Sequence, residues 1–263
     1  MSDFAKGDSC LLTDNKGRQF LLTLEEGAAF HYHNGYLSHD EIIGQPDGAV
    51  LQSSLGGRLV ALKPRMSDYV LKMRRGAQVI YPKDLGAILV WGDIAPGLTV
   101  LEAGTGSGAL TMGLLRAVGA GGRVISVELR PDHAAHAQRI LESFFGGIPP
   151  NLDLRIGDVA EVISEVAPDR LVLDLPEPFS VVEAAVAGLP SGAVWISYVP
   201  TVPQVQQTAE ALHQSGCFYG IGHFEVLHRE WKVEGRSVRP NHQMVGHTGF
   251  ITVARKTQAL RES

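Results

Sequence analysis

The sequence predicts an α/β fold: a largely parallel, helix-covered sheet preceded by a small β-rich N-terminal domain. Three observations carry that expectation. From Asp84 onward, short apolar runs alternate with amphipathic stretches, the pattern of strand–helix repeats in a parallel sheet covered on both faces. The run Leu98–Glu128, LTVLEAGTGSGALTMGLLRAVGAGGRVISVE, reads as strand, glycine turn, amphipathic segment and a second strand closing on a carboxylate. Residues 2–65 instead offer only short apolar runs divided by glycine-containing turns, the pattern of a small barrel or sandwich.

Taken in order, Cys10–Thr13 and Gln19–Leu24 form a hairpin around Asp14-Asn15-Lys16-Gly17. Further short strands fit Ala28–His31, Ala49–Gln52 and Arg58–Leu62, and a domain boundary falls after residue 65. Residues 66–95 form a basic helix or linker leading into the second domain, 66–263. Within it Ser67 suits a helix cap, Gln78 and Tyr81 fall in a loop beside Pro82-Lys83-Asp84, and a helical segment begins near Ala87. The later strands are expected at Thr99–Glu102, Arg123–Glu128, Leu152–Ile156, Arg170–Asp174, Ala193–Tyr198, Phe218–Leu227 and Phe250–Arg255. Helices fit Ala109–Val118, a segment holding His133 and His136, Ser180–Ala187 and Val202–Ser215, with a polar loop between the last two strands.

Composition narrows the class. No apolar run reaches the eighteen or so residues that span a bilayer, so no membrane role is expected. Cys10 and Cys217 have no zinc-ligand spacing, which suits a reducing cytoplasmic setting without disulfides. His31, His33 and His39 lack supporting cysteines or carboxylates, and no metal is expected. The net charge of -5 argues against indiscriminate nucleic-acid binding. Yet Arg58–Lys83 holds seven basic residues against the single acid Asp68, a local balance of +6. Lys63, Arg65, Lys72, Arg74, Arg75 and Lys83 are therefore candidates for phosphate contacts with RNA.

The chemistry should collect at the carboxyl ends of the strands, outside the sheet where strand order reverses. Gly104, Gly106 and Gly108 make a turn that brings bare backbone to a ligand, with Glu102 just upstream. Glu128, twenty residues after Gly108, can accept hydrogen bonds from both hydroxyls of a nucleoside ribose. Asp158 ends the next strand, where an acid can take a hydrogen bond from a base amino group. Asp174-Leu175-Pro176-Glu177-Pro178 forms a stiff lip offering a carboxylate and backbone carbonyls. A nicotinamide site would want GxGxxG, and here the third glycine falls one residue early. The turn and its acid resemble the S-adenosylmethionine site of class I, Rossmann-like methyltransferases.

Five motifs sharpen that resemblance. QVIYPKD (Gln78–Asp84), VLEAGTGSGALT (Val100–Thr111), DLPEP (Asp174–Pro178), REW (Arg229–Trp231) and MVGHTGF (Met244–Phe250) are together similar to the TrmI-type tRNA adenine-N1 methyltransferases. Phe179 departs from the tryptophan usual in that family after DxxEP, but keeps an aromatic wall. The resemblance implies methyl transfer from S-adenosylmethionine to N1 of the T-loop adenosine 58 of tRNA, and a homotetramer. It implies that Thr105, Gly106, Ser107 and Gly108 surround the methionyl part of the cofactor, with Glu128 on the ribose, His133 nearby and Asp158 on the adenine. Gln78, Glu102, Gly104 and Asp174 complete the expected cofactor set. Asp174 matches the family's catalytic aspartate, and Tyr81 and Tyr198 match aromatics lining the target-base pocket. A methyltransferase for protein carboxylates or small molecules would share the turn, but has no use for the basic segment or DLPEP.

Overall fold

The computed structural model describes residues 2–73 and 78–259. Contacts divide the chain into two compact units, Met1–Arg75 with Gln138–Pro149, and Gly76–Ala137 with Pro150–Ser263.

In the first unit, β1 (Ser9–Asp14) and β2 (Gln19–Thr23) pair as the expected hairpin. Asp14 fixes its turn by accepting the main-chain N–H groups of Lys16 and Arg18, each at 2.9 Å. β3 (Ala29–Tyr32) pairs with β4 (Gly35–Ser38), a strand the sequence reading did not anticipate. β5 (Ala49–Gln52) and β6 (Arg58–Leu62) complete a four-stranded antiparallel sheet in the order β2-β1-β6-β5. Phe4, Cys10, Leu12, Leu24, Leu37, Ile42, Leu59 and Ala61 fill its core. α1 (Met66–Lys72) follows. Ser67, expected as its cap, lies inside the helix. Arg65 takes the cap position and donates its main-chain N–H to Asp68 Oδ2 at 3.0 Å.

The second unit opens with α2 (Pro82–Trp91), which starts five residues earlier than expected. Proline suits the first turn of a helix because its missing N–H would be unpaired there anyway, so Tyr-Pro marks a start here rather than a loop. β7 (Thr99–Ala103), α3 (Ala109–Val118), β8 (Arg123–Glu128) and α4 (Pro131–Phe145) follow, α4 running on into the first unit. After β9 (Leu152–Ile156) comes α5 (Val159–Val166), a helix missing from the sequence reading. Its signal was present: Val159, Val162, Ile163 and Val166 keep helical spacing, and Asp158 caps the start by accepting the Ala160 N–H at 2.9 Å. β10 (Arg170–Leu173), a short 3₁₀ turn, α6 (Val182–Gly188), β11 (Val194–Val199) and α7 (Val202–Gln214) continue the alternation. β12 (Phe218–Phe224) ends earlier than expected, and the expected polar loop contains a hairpin of β13 (Trp231–Glu234) and β14 (Ser237–Pro240) before β15 (Phe250–Lys256).

These strands form a seven-stranded sheet in the order β12-β15-β11-β10-β7-β8-β9. The five strands from β11 to β9 run parallel, and β15 is antiparallel to both β11 and β12. Leu101, Ile125, Leu171, Leu173 and Trp195 from the strands pack with Ile163, Val182, Ala185 and Leu212 from the helices. From β7 the order proceeds through β8 and β9 on one side and through β10 and β11 on the other. The reversal at β7 and β10 opens a crevice beyond their carboxyl ends.

Candidate active site

The turn after β7 is built around close backbone approach. Gly104 has φ +87°, donates its N–H to the Val127 carbonyl at 3.0 Å, and lies so near the Asp174 carbonyl oxygen that a Cβ would collide with it. Gly106 and Gly108 also take positive φ, and Gly108 caps α3. Thr105 turns inward and shares a 2.7 Å hydroxyl–hydroxyl hydrogen bond with Ser126 of β8. Glu128 closes the turn: Oε2 accepts the Gly106 N–H at 3.0 Å, and Oε1 accepts the Arg130 N–H at 3.1 Å. Each oxygen keeps a further lone pair for a ligand.

Two adjoining lobes form the crevice, of about 320 and 500 Å³. Gly104, Glu128, Leu129, Leu175 and Pro176 line both. The smaller lobe adds Asp158, Val159 and Val181; the larger adds Gln78, Gly106, His133, Asp174 and Tyr198. Thr105 and Ser107 border a narrow hollow beside the turn with Gln78 and Asp174. Nearly all the expected site residues therefore meet at one crevice.

Three expected residues, Glu102, Tyr81 and the helix-capping Gly108, are not among those lining the lobes or the hollow. Glu102 is fully buried behind the turn, where its Oε2 accepts the Thr111 hydroxyl at 2.7 Å and its Oε1 has no hydrogen-bond partner among the described residues. Tyr81 is not among the residues lining the two lobes; it is the half-buried cap residue of α2, and its carbonyl accepts the Asp84 and Leu85 N–H groups at 2.9 Å each.

The basic segment also needs correction. Lys83 is turned inward: its Nζ donates to Asp84 Oδ1 at 2.8 Å, and to the Thr248 hydroxyl and Val226 carbonyl at 2.6 Å each. With all three N–H bonds used, it is not available to a phosphate. Lys63 donates to Ser2 Oγ at 2.9 Å and lies 3.5 Å from Asp8, whereas Lys72 is exposed. Arg65 pairs with Asp68 at 2.9 Å yet keeps a side chain 80% exposed. Arg74 and Arg75 lie outside the described residues.

Sequence reasoning missed Asp84, Thr248 and Gly249 as site residues, although the first ends QVIYPKD and the others lie in MVGHTGF. Asp84 is fully buried, and its Oδ2 accepts hydrogen bonds from the Tyr198 hydroxyl at 3.3 Å and the Thr248 hydroxyl at 2.7 Å. Among the late histidines, His247 bridges Glu225 Oε2 at 2.9 Å and the Pro200 carbonyl at 2.8 Å, while His223 bonds Thr252 at 2.9 Å. Acceptors on both ring nitrogens favour the doubly protonated form, and these bonds raise the His247 pKa.

Electrostatically the crevice calls for a cation. Burial, reinforced by the charge of Glu128, pushes Asp174 up to about 7. Burial pushes Glu102 up to about 8, with Asp174 and Glu128 adding repulsion. A sulfonium group would relieve that crowding, and the open turn with Glu128 beside it suits a nucleoside. The donor set therefore fits S-adenosylmethionine.

A mostly parallel seven-stranded sheet, with a glycine turn at its reversal and a carboxylate ending the next strand, defines a class I S-adenosylmethionine-dependent methyltransferase. The family model for the GCD14 subunit of the tRNA methyltransferase complex matches residues 58–239, and the TrmI-like N-terminal model matches residues 3–51. The tRNA (adenine(58)-N(1))-methyltransferase TrmI of Thermus thermophilus is 39% identical over 250 residues, covering 95% of this chain and 97% of the relative. Among solved structures, an S-adenosylmethionine-dependent O-methyltransferase of Thermotoga maritima is 31% identical with a TM-score of 0.93, covering 98% of this chain and 96% of its own. The tRNA (m1A58) methyltransferase TrmI of Aquifex aeolicus is 28% identical with a TM-score of 0.85, covering 98% and 100%. The chain belongs to the TrmI family of tRNA methyltransferases.

Proposed function

We propose that Asp174, Tyr198 and Tyr81 receive the target base in the reaction of this family, transfer of a methyl group from S-adenosylmethionine to N1 of adenosine 58 in tRNA. The observation that carries this reading is Asp174: a half-buried carboxylate at the reversal of strand order, lining the larger lobe with Tyr198. When bound, S-adenosylmethionine supplies a methyl group made electrophilic by its positive sulfur. Adenine N1 carries a free lone pair at neutral pH, so the protein needs no strong base to create the nucleophile. Its task is alignment and electrostatics.

Asp174 accepts a hydrogen bond from the adenine N6 amino group, turns N1 toward the methyl, and favours the positive charge that spreads to N6 as the bond forms. N1 is engaged in Watson–Crick pairing, so the base must leave its stack, and Tyr81 and Tyr198 offer rings against which it can rest. Glu128 holds the cofactor ribose. Asp158 reads the adenine amino group with the carboxylate capacity its capping bond leaves free. Gln78, Gly104, Thr105, Gly106, Ser107, Gly108 and His133 enclose the remainder, with Glu102 supporting the turn from behind.

The proposal extends to organisation. Residues 1–65 form a separate N-terminal domain before the methyltransferase domain 66–263, and Lys63, Arg65 and Lys72, with Arg74 and Arg75, approach tRNA phosphates. The protein assembles as a homotetramer, a reading supported by the exposed apolar side chains of Trp231, Val233 and Val238 on the β13–β14 hairpin. The buried free thiols of Cys10 and Cys217 favour a cytoplasmic setting. No helix among the described residues is long and apolar enough to cross a membrane.

The decisive test uses methyl-labelled cofactor with two tRNA transcripts, one of them lacking the T-loop adenosine. Label recovered as 1-methyladenosine from the complete transcript alone is expected. Label on oxygen, or equal labelling of both transcripts, would overturn the assignment.

A further inference from the structure

We propose that Asp84 is a positioning residue of the methyl-transfer site, fixing through its main chain and its carboxylate where Tyr81 and Tyr198 stand. The proposal rests on the reading that these tyrosines receive the target base.

Asp84 is fully buried in the first turn of α2. Its N–H donates to the Tyr81 carbonyl at 2.9 Å, which sets the backbone from which the Tyr81 ring projects. Its Oδ2 accepts from the Tyr198 hydroxyl at 3.3 Å. One residue thus touches both tyrosines. Two neighbours keep the carboxylate still: Lys83 Nζ donates to Oδ1 at 2.8 Å, and the Thr248 hydroxyl donates to Oδ2 at 2.7 Å while accepting from Lys83 at 2.6 Å. Lys83 also donates to the Val226 carbonyl at 2.6 Å, drawing the chain after β12 into the same clamp.

Gly249 supplies the remaining constraint. A Cβ there would run into the Tyr198 ring and sit 2.7 Å from its hydroxyl, so the ring lies against bare backbone. Gly249 on one face and Asp84 at the tip limit where the Tyr198 ring can stand. Because its proton is committed to Asp84, the hydroxyl does not act as an acid toward the base. Tyr198 then serves as a wall, and the ion pair beneath it sets where that wall stands. Removing water from such a pair is costly, and its return is a fixed geometry.

The test is a double-mutant cycle of Asp84→Asn and Tyr198→Phe, read in kcat on tRNA, cofactor Kd and melting temperature. Asp84→Asn alone should lower kcat about ten- to a hundredfold with cofactor Kd changed less than about twofold, since small misplacements near a reacting base cost this much. In the Tyr198→Phe background the same substitution should cost less than about threefold, because its target hydroxyl is already gone. If Asp84→Asn does not fold, Thr248→Val loosens the same carboxylate without stranding a charge and takes its place in the cycle. Equal losses in both backgrounds, or a loss of cofactor affinity in step with kcat, would overturn the proposal and leave Asp84 a structural residue. If the unaltered protein yields no 1-methyladenosine, the reading beneath the proposal fails instead.

Discussion

At the scale of single residues, the proposed site holds carboxylates where burial makes their charge costly. Asp174, pushed up to about 7, is shared between its two forms near neutral pH in the free protein. Only the ionised form can both accept from N6 and favour a growing positive charge. The value of kcat/KM for the cofactor, which reports the free protein's ionisations, should therefore rise with pH through about 7. In Asp174→Asn it should be flat across that range, with kcat lower by about a hundredfold, the cost of losing one electrostatic contact of this kind. A variant retaining the pH step would assign it to another group.

Glu102 gives a second prediction at this scale, and its sign is opposite to the usual carboxylate case. Its folded pKa of about 8 lies above the ordinary value of 4.5, so the folded form holds the proton more tightly. The stability this contributes is complete below 4.5 and is lost as pH rises through about 8. The melting temperature of the ligand-free protein should carry a corresponding downward component over that window. Glu102→Gln keeps an acceptor for the Thr111 hydroxyl and cannot ionise, so its melting curve should fall less from pH 5 to 8. Parallel curves for the two proteins would show that Glu102 stays ionised.

At the scale of elements, legibility followed the reach of the signal. The glycine turn, β8 and Glu128 could be read because their chemistry is local: a turn needing φ > 0, an apolar run and an acid at its end. The Asp174 lip was readable for the same reason. The Lys83–Asp84–Thr248 clamp was not, since it joins residues 164 and 165 positions apart, and composition recorded Lys83 only as one more basic residue. Exposure separates a phosphate contact from a buried ion pair, and a charge count carries no information about it. Helix starts were hidden where proline served as a first-turn residue, as at Pro82, instead of a break. The turn itself yields an element-scale prediction. Gly104→Ala puts a Cβ at φ +87° against the Asp174 carbonyl, displacing β10's end from β7. A loss of about 2–3 kcal/mol from backbone strain is expected, measured by chemical denaturation, together with weaker cofactor binding. Unchanged stability would mean the two strand ends have slack.

At the scale of the whole molecule, charge decides how RNA can be held. The chain is net -5, so a polyanion gains nothing from the average field and must rely on local basic groups. With Lys83 committed inward, the proposed tRNA contact falls to the segment before it, where Arg65 and Lys72 lie at the two ends of α1 with exposed side chains. Each phosphate contact releases a condensed counterion, and the slope of log affinity against log salt counts them. The double variant Arg65→Ala with Lys72→Ala should weaken tRNA binding and reduce that slope by roughly 1.5. Arg65 gives up a two-pronged pairing with Asp68, whose side chain is 11% exposed but keeps the main-chain N–H of residue 65, so the melting temperature should fall only slightly. Cofactor affinity should be untouched, because neither residue lines the crevice. An unchanged salt slope alongside normal folding would move the RNA approach off α1 and onto another surface of the chain.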